Sequence, residues 1–317
     1  MHKTRYNALH LRLQIRPKGP LLIKAGGISA NPALLDMQFV RTFHPDLGET
    51  VYIPGSSLKG VVRGFVEKAL RTLDTSGQPG PSPTKKWKWA CATFKAKKEE
   101  KKDRKKWSCP QFLEEIKPPN RELTSSEIYA NSCGACRIFG HTRLRGRLSF
   151  TDFFPVEDVR TEIRYGVAIS RLTQAVVSGA LFEMEVAVSG TFEGTLVLEN
   201  FEIWQLGLLT TALEAMNLGL LKVGFGKNRG FGEVEARIVE AQVEEIITGY
   251  QKDHLRGLRA FVSNDEAQKY GLYLPAALEG VPEPQEEEPL GLYMRRRYSE
   301  EAWATIARRA LQALASA

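Results

Sequence analysis

Cys133-Gly-Ala-Cys136 sets two thiols three positions apart, the spacing of one half of a zinc knuckle. Cys91 and Cys109 have seventeen residues between them, which departs from the usual short second spacing. A four-cysteine zinc site drawn from all of these would fold the segment that carries them, with His141 able to replace one sulfur. The plainer alternative is that Cys133 and Cys136 are buried free thiols under "RIFG". No N-terminal stretch has the basic-then-apolar form of a signal peptide, so the thiols are expected to be reduced and the protein cytoplasmic.

A second chemistry is anion binding. In "VYIPGSSLKGVVRGF" (51–65), an extended run meets Pro-Gly-Ser-Ser and a helical apolar pattern begins at once. Ser56 or Ser57 can cap that helix, whose first turn offers free backbone N–H groups and the positive end of its dipole. Successive residues turn by about 100°, so Lys59 and Arg63 share a polar face, with Gly60 and Gly64 beside them. Glycines there would let another backbone approach, and the combination suits a phosphate backbone. The spacing is not that of a Walker A loop. A second cluster, "KVGFGKNRGFGEVE" (222–235), interleaves four glycines with Phe225, Lys227, Arg229 and Phe231. Such a loop can wrap an anionic chain with N–H groups while aromatic faces accept bases.

Charge is distributed unevenly. The run 85–106 holds eleven Lys/Arg and three acids, against a net +7 for the whole chain, so the remainder is one charge negative. Either an anionic partner meets the molecule at one place, or the run is a solvated loop.

The elements that must position these groups follow from periodicity. "ALHLRLQIR" alternates apolar and polar residues, as do 147–153, 181–188, 195–199 and 232–239; all read as half-buried strands. Helical stripes run through Leu58, Val62, Phe65, Val66 and Leu70, and through Phe201, Trp204, Leu208, Leu209 and Leu213. The order predicts an α+β fold, with a ferredoxin-like or RRM-like sheet carrying helices on one face. An insertion over 72–140, with little core of its own, interrupts a core spanning 1–240. Beyond it lies a C-terminal extension, 241–317, with a mobile Pro/Glu linker at 279–291 and an amphipathic helix at 299–315.

"YIPGSSLKGVVRG", "CRIFG…RGRLSFTDFFP" and "VGFGKNRGFGEVE" resemble, in that order, the three signature regions of the RAMP superfamily of CRISPR-associated proteins. In detail the chain is most similar to the backbone subunit of type III effector complexes. The resemblance implies an RRM-like core whose copies stack along a guide RNA, and a zinc-bearing lid. It implies guide contacts at Ser56, Ser57, Lys59, Arg63, Lys227 and Arg229. Base pairing would then read the target RNA, and other effector subunits would be partners. It also implies target cleavage by an aspartate after the first strand, here Asp36 in "LDMQFVRT", acting with Mg2+ or another divalent ion. Asp46 matches that pattern less well. In the place of the family's thumb hairpin, 165–186, the returning strand is expected to begin near Ala180, leaving a short tip with Arg164 and Arg171 near the guide. That departure leaves open a non-catalytic subunit capping the filament. A stand-alone guide-processing ribonuclease using a histidine base is a third possibility, with His10, His44 and His141 available.

Overall fold

A computed structural model describes residues 3–26, 35–75, 88–94 and 107–315. The alternation at the start of the chain forms β1 (Asn7–Pro17), which buries Leu9, Leu11, Leu13 and Ile15 on one face. β1 is central in its sheet. It pairs antiparallel with β8 (Phe192–Glu199) on one side and β9 (Val234–Ile246) on the other. β4 (Leu148–Phe150) and the short β5 (Phe154–Pro155) both pair with β8. Helix α1 (Gly55–Thr75) follows β1 and helix α5 (Ile203–Asn217) follows β8. The sheet order β9-β1-β8-β4 is that of the expected split β-α-β fold.

α5 is buried along most of its length, leaving Glu214 and Asn217 exposed near its end. Helix α7 (Glu300–Ala315) covers it with Trp303, Ile306 and Ala310 buried. The two backbones cross at Gly207, where a Cβ would fall 2.3 Å from the Leu311 nitrogen.

The boundary expected at residue 240 is not a boundary of the sheet. β9 runs through it, and β13 (Tyr293–Tyr298) adds to the free edge of β9. The linker expected over 279–291 is likewise corrected: β12 (Glu286–Leu290) pairs with β13. The pairing sets Glu286, Glu287 and Glu288 opposite Arg297, Arg296 and Arg295, so the acids find counter-charges across the ladder. A smaller ladder of β10 (His254–Arg256) and β11 (Ala277–Glu279) and helix α6 (Asn264–Tyr270) complete this end.

The insertion is not short of core, contrary to expectation. Its helices α2 (Cys109–Glu115), α3 (Ser125–Ala130) and α4 (Gly134–Phe139) bury Phe112, Tyr129, Ile138 and Phe139, and Trp89 and Trp107 are buried with them. The Trp89 ring meets Trp204 of α5 edge-on, with centroids 5.5 Å apart. At the end of α1 the Asp74 carboxylate accepts the N–H groups of Lys88, Trp89 and Ala90, which fastens the insertion to the core. Of the lysine-rich run 85–106, only 88–94 fall within the described residues.

Two hairpins stand off the sheet. One joins β2 (Arg41–His44) to β3 (Gly48–Val51); the other joins β6 (Thr161–Ile169) to β7 (Val176–Ala187). The second corrects the strand boundary expected near Ala180: the returning strand begins at Val176 and pairs with β6 out to Ile169, leaving a short turn over 170–175. Its outer part exposes Tyr165, Ile169, Leu172, Val176 and Leu181, with Leu172 at the tip 94% exposed. No described helix is long and apolar enough to cross a membrane.

Candidate nucleic-acid interface and metal centre

The start of α1 is capped by a residue that the sequence reading did not assign. Gly55 N–H donates to Asp152 Oδ1 at 2.8 Å, while Ile53 and Phe153 exchange backbone hydrogen bonds at 2.9 Å. Asp152 lies in "RLSFTDFFP", so the second signature segment holds the first. Neither Ser56 nor Ser57 makes the cap, and a carboxylate already occupies part of the helix N-terminus. The uncompensated cations lie further along the helix.

Gly60, Gly64, Lys68 and Thr72 follow one another at intervals of four along one face of α1. They line a groove of ≈ 690 Å³ whose opposite wall is Gly219 to Lys222, Lys227 and Asn228. Among the described residues, no atom beyond the adjoining turns of α1 itself lies within 4 Å of where a Cβ on Gly60 or Gly64 would sit, so the glycines keep the floor open. The groove brings Lys68, Lys222 and Lys227 together. Desolvation, then repulsion from Lys68, holds the Lys227 ammonium below its ordinary pKa. Desolvation, then Arg63, does the same to Lys59. Among the described residues none of these lysines has an ion-pair partner. Cations crowded without counter-charges are an electrostatic vacancy for an anion. Lys68 and Lys222 were missed in the sequence; the four-residue step from Gly60 through Gly64 was the signal for Lys68.

Arg63 behaves differently. Its Nε donates to Glu67 at 2.7 Å, Nη1 donates to the Gly140 carbonyl at 3.3 Å, and the guanidinium lies over Phe139. It ties α1 to α4 and is already neutralised. In the glycine loop, Gly224 has φ +81°, and a Cβ there would fall 2.2 Å from the Leu22 carbonyl oxygen. The adjacent Phe225 N–H donates to that same oxygen at 2.7 Å, so the loop is seated on the chain leaving β1. Arg229 and Phe231 turn the other way, lining a ≈ 490 Å³ groove with Tyr165, Phe182 and Met184 of the long hairpin. Arg164 pairs weakly with Glu162 at 3.4 Å, and Arg171 lies in the hairpin turn, apart from the lysine groove.

Asp36 is exposed at the root of that hairpin, where its Oδ2 accepts the Glu183 N–H at 3.1 Å. Its other oxygen accepts no hydrogen bond from a described residue. A lone carboxylate suits Mg2+, which keeps several waters and takes its remaining ligands from phosphate. Asp46 lies in the β2–β3 turn, where its N–H donates to His44 Nδ1 at 3.2 Å.

The four cysteines meet. Their sulfurs all lie within 4.8 Å of one another, and all four residues are buried. The Cys91 and Cys136 sulfurs are 3.8 Å apart. A tetrahedral Zn–S shell with bonds of about 2.3 Å sets sulfurs about 3.8 Å apart. The Cys133 N–H donates to Cys109 Sγ at 3.2 Å, and the Cys136 N–H to Cys133 Sγ at 3.5 Å. Contact with the Cys109 sulfur, together with burial, pushes the Cys91 and Cys136 thiols up. These residues can hold a metal ion. His141 is not needed: its Nε2 faces Ser132 Oγ at 2.9 Å and its Nδ1 accepts the Arg143 N–H.

A family model described as the RAMP superfamily matches residues 14–235, more than half of the chain and all three signature segments. The chain belongs to the RAMP superfamily. No curated protein sequence matches it. As a RAMP protein it is a CRISPR-associated RNA-binding protein, with CRISPR RNA and effector subunits as its class of partners. The open face of the RAMP sheet carries charges that are already paired. There Arg12 pairs with Glu193 and Glu240, Arg295 with Glu244, and Arg297 with Glu240 and Glu286. Opposed charges in mutual contact leave little field for a phosphate, whereas the lysine groove keeps its own.

Proposed function

We propose that this RAMP protein is a guide-RNA-binding backbone subunit of a type III CRISPR–Cas interference complex, which binds complementary target RNA and cleaves it beside Asp36. The reading rests on the lysine groove: three cations and an open glycine floor make a track for a sugar-phosphate strand. The length of the β6–β7 hairpin favours a backbone role over a capping one. The histidine-based processing alternative loses ground because His10, His44 and His141 sit on separate elements with separate partners.

In the cleavage step the target 2′-oxygen attacks the adjacent phosphorus and the P–O5′ bond breaks. The products are a 2′,3′-cyclic phosphate and a 5′-hydroxyl. Asp36 is exposed and has one oxygen without a hydrogen-bond donor among the described residues, and it serves by placing charge. A divalent ion held there would neutralise charge developing on the phosphate. The lid cysteines Cys91, Cys109, Cys133 and Cys136 would hold a structural Zn2+.

Native mass analysis of the protein recovered from its host is expected to find it bound to guide-length RNA, with more than one copy per complex. An assembled complex carrying Asp36→Ala is expected to bind target and leave it whole. Unchanged cutting by that variant would remove Asp36 from the mechanism, and a complex free of nucleic acid would end the whole reading.

A further inference from the structure

Asp36 is anchored by the long hairpin beside it. The segment that carries it lies along β7 as a short added strand. Met37 N–H donates to the Glu183 carbonyl at 3.0 Å, Glu185 N–H donates to the Met37 carbonyl at 2.9 Å, and Met37 forms a parallel bridge with Met184. The Glu183 N–H turns to the Asp36 carboxylate.

One side chain fastens this arrangement. Glu185 is a carboxylate only 8% exposed. Its Oε2 accepts the Phe39 N–H at 3.2 Å and its Oε1 accepts the Arg41 guanidinium. Both partners lie just downstream of Asp36, on the path into β2. Glu185 also sits where β7 changes character: Val186 and Ala187 are buried in the core, whereas Leu181 and Val176 stand exposed on the hairpin. A buried carboxylate is costly unless charge-paired and hydrogen-bonded, and here both its oxygens are used on one short segment.

We propose that Glu185 is a positioning residue for Asp36. It clamps Arg41 and the Phe39 amide so that the Asp36 carboxylate is held against the hairpin root, and cleavage depends on that root being intact. The proposal rests on the reading of Asp36 as the cleaving group. Glu185 touches no RNA; it acts through the 36–41 segment.

Gln in place of Glu185 keeps the size but offers one acceptor oxygen for two donors and no charge for Arg41. Complexes carrying Glu185→Gln, Arg41→Gln and Asp36→Ala are compared with wild type in single-turnover cutting at saturating target, in target affinity, and in amide exchange. Misplacing a reacting group by about 1 Å costs up to about a hundredfold, so Glu185→Gln is expected to cut between about tenfold and a hundredfold more slowly. Target affinity should stay within about twofold, and exchange should quicken in 35–41 and 183–185 but not in the glycine loop. Arg41→Gln, on the exposed side of the clamp, should slow cutting in the same way and covers the case in which the buried variant does not assemble. Asp36→Ala that still cuts overturns the Asp36 reading and this proposal with it. An inactive Asp36→Ala beside Glu185→Gln or Arg41→Gln cutting at the wild-type rate overturns this proposal alone.

Discussion

Among the carboxylates that accept backbone amides, three stand at junctions that shape the candidate site: Asp152 at the start of α1, Asp74 at its end, and Glu185 beneath the Asp36 segment. Each joins segments far apart in sequence, so none could be assigned from local pattern. The serines at 56 and 57 were the natural cap by type; Asp152 takes the role because Ile53 and Phe153 pair and bring it to Gly55. The cysteines were easier. Their residue type restricted the chemistry to a metal or to thiol packing, and the long spacing between Cys91 and Cys109 is closed by tertiary contact. Zinc analysis of the purified protein is expected to give about one ion per chain. Cys136→Ala should lose that ion and lower the melting temperature, since the four sulfurs sit among buried core side chains. Protein free of zinc with unaltered stability would leave only the packed-thiol alternative.

At the scale of elements, β1 and the two core helices were legible because their periodicity is strong and local. The β12–β13 hairpin was not. Its first strand, Glu286–Leu290, reads as a solvated acidic linker until the arginines opposite are counted as partners. The same principle holds where β13 meets the older sheet. Glu244 of β9 is held well below the usual carboxylate range by His10 first, then by Arg5 and Arg295. A carboxylate whose pKa falls on folding adds stability above its unfolded pKa of about 4.3 and loses it as pH falls further. Wild type is therefore expected to exceed Glu244→Gln in unfolding free energy at neutral pH. The gap should close progressively below about pH 4, and shrink in high salt because its arginine partners are partly exposed. Denaturant titrations of both proteins across that range would show it; a gap independent of pH would mean the substitution acts through packing.

For the whole molecule, the question is where its positive field lies. Outside 85–106 the chain is one charge negative, yet Lys68, Lys222 and Lys227 meet with no counter-charge among the described residues, while the arginines of the sheet face are neutralised. Net charge therefore says little about where RNA binds; pairing decides it. Each phosphate contact on a single strand contributes about 0.7 to the slope of log affinity against log salt. Lys68→Ala with Lys227→Ala should flatten that slope by about 1.4 and weaken guide binding uniformly across sequences. Arg12→Ala should leave the slope untouched, because removing one member of a paired cluster exposes no cation to phosphate. Neutralising the lysine-rich run is the decisive companion. If that variant takes the whole salt dependence and the groove variant takes none, the strand follows the run and the glycine-floored groove is not its path.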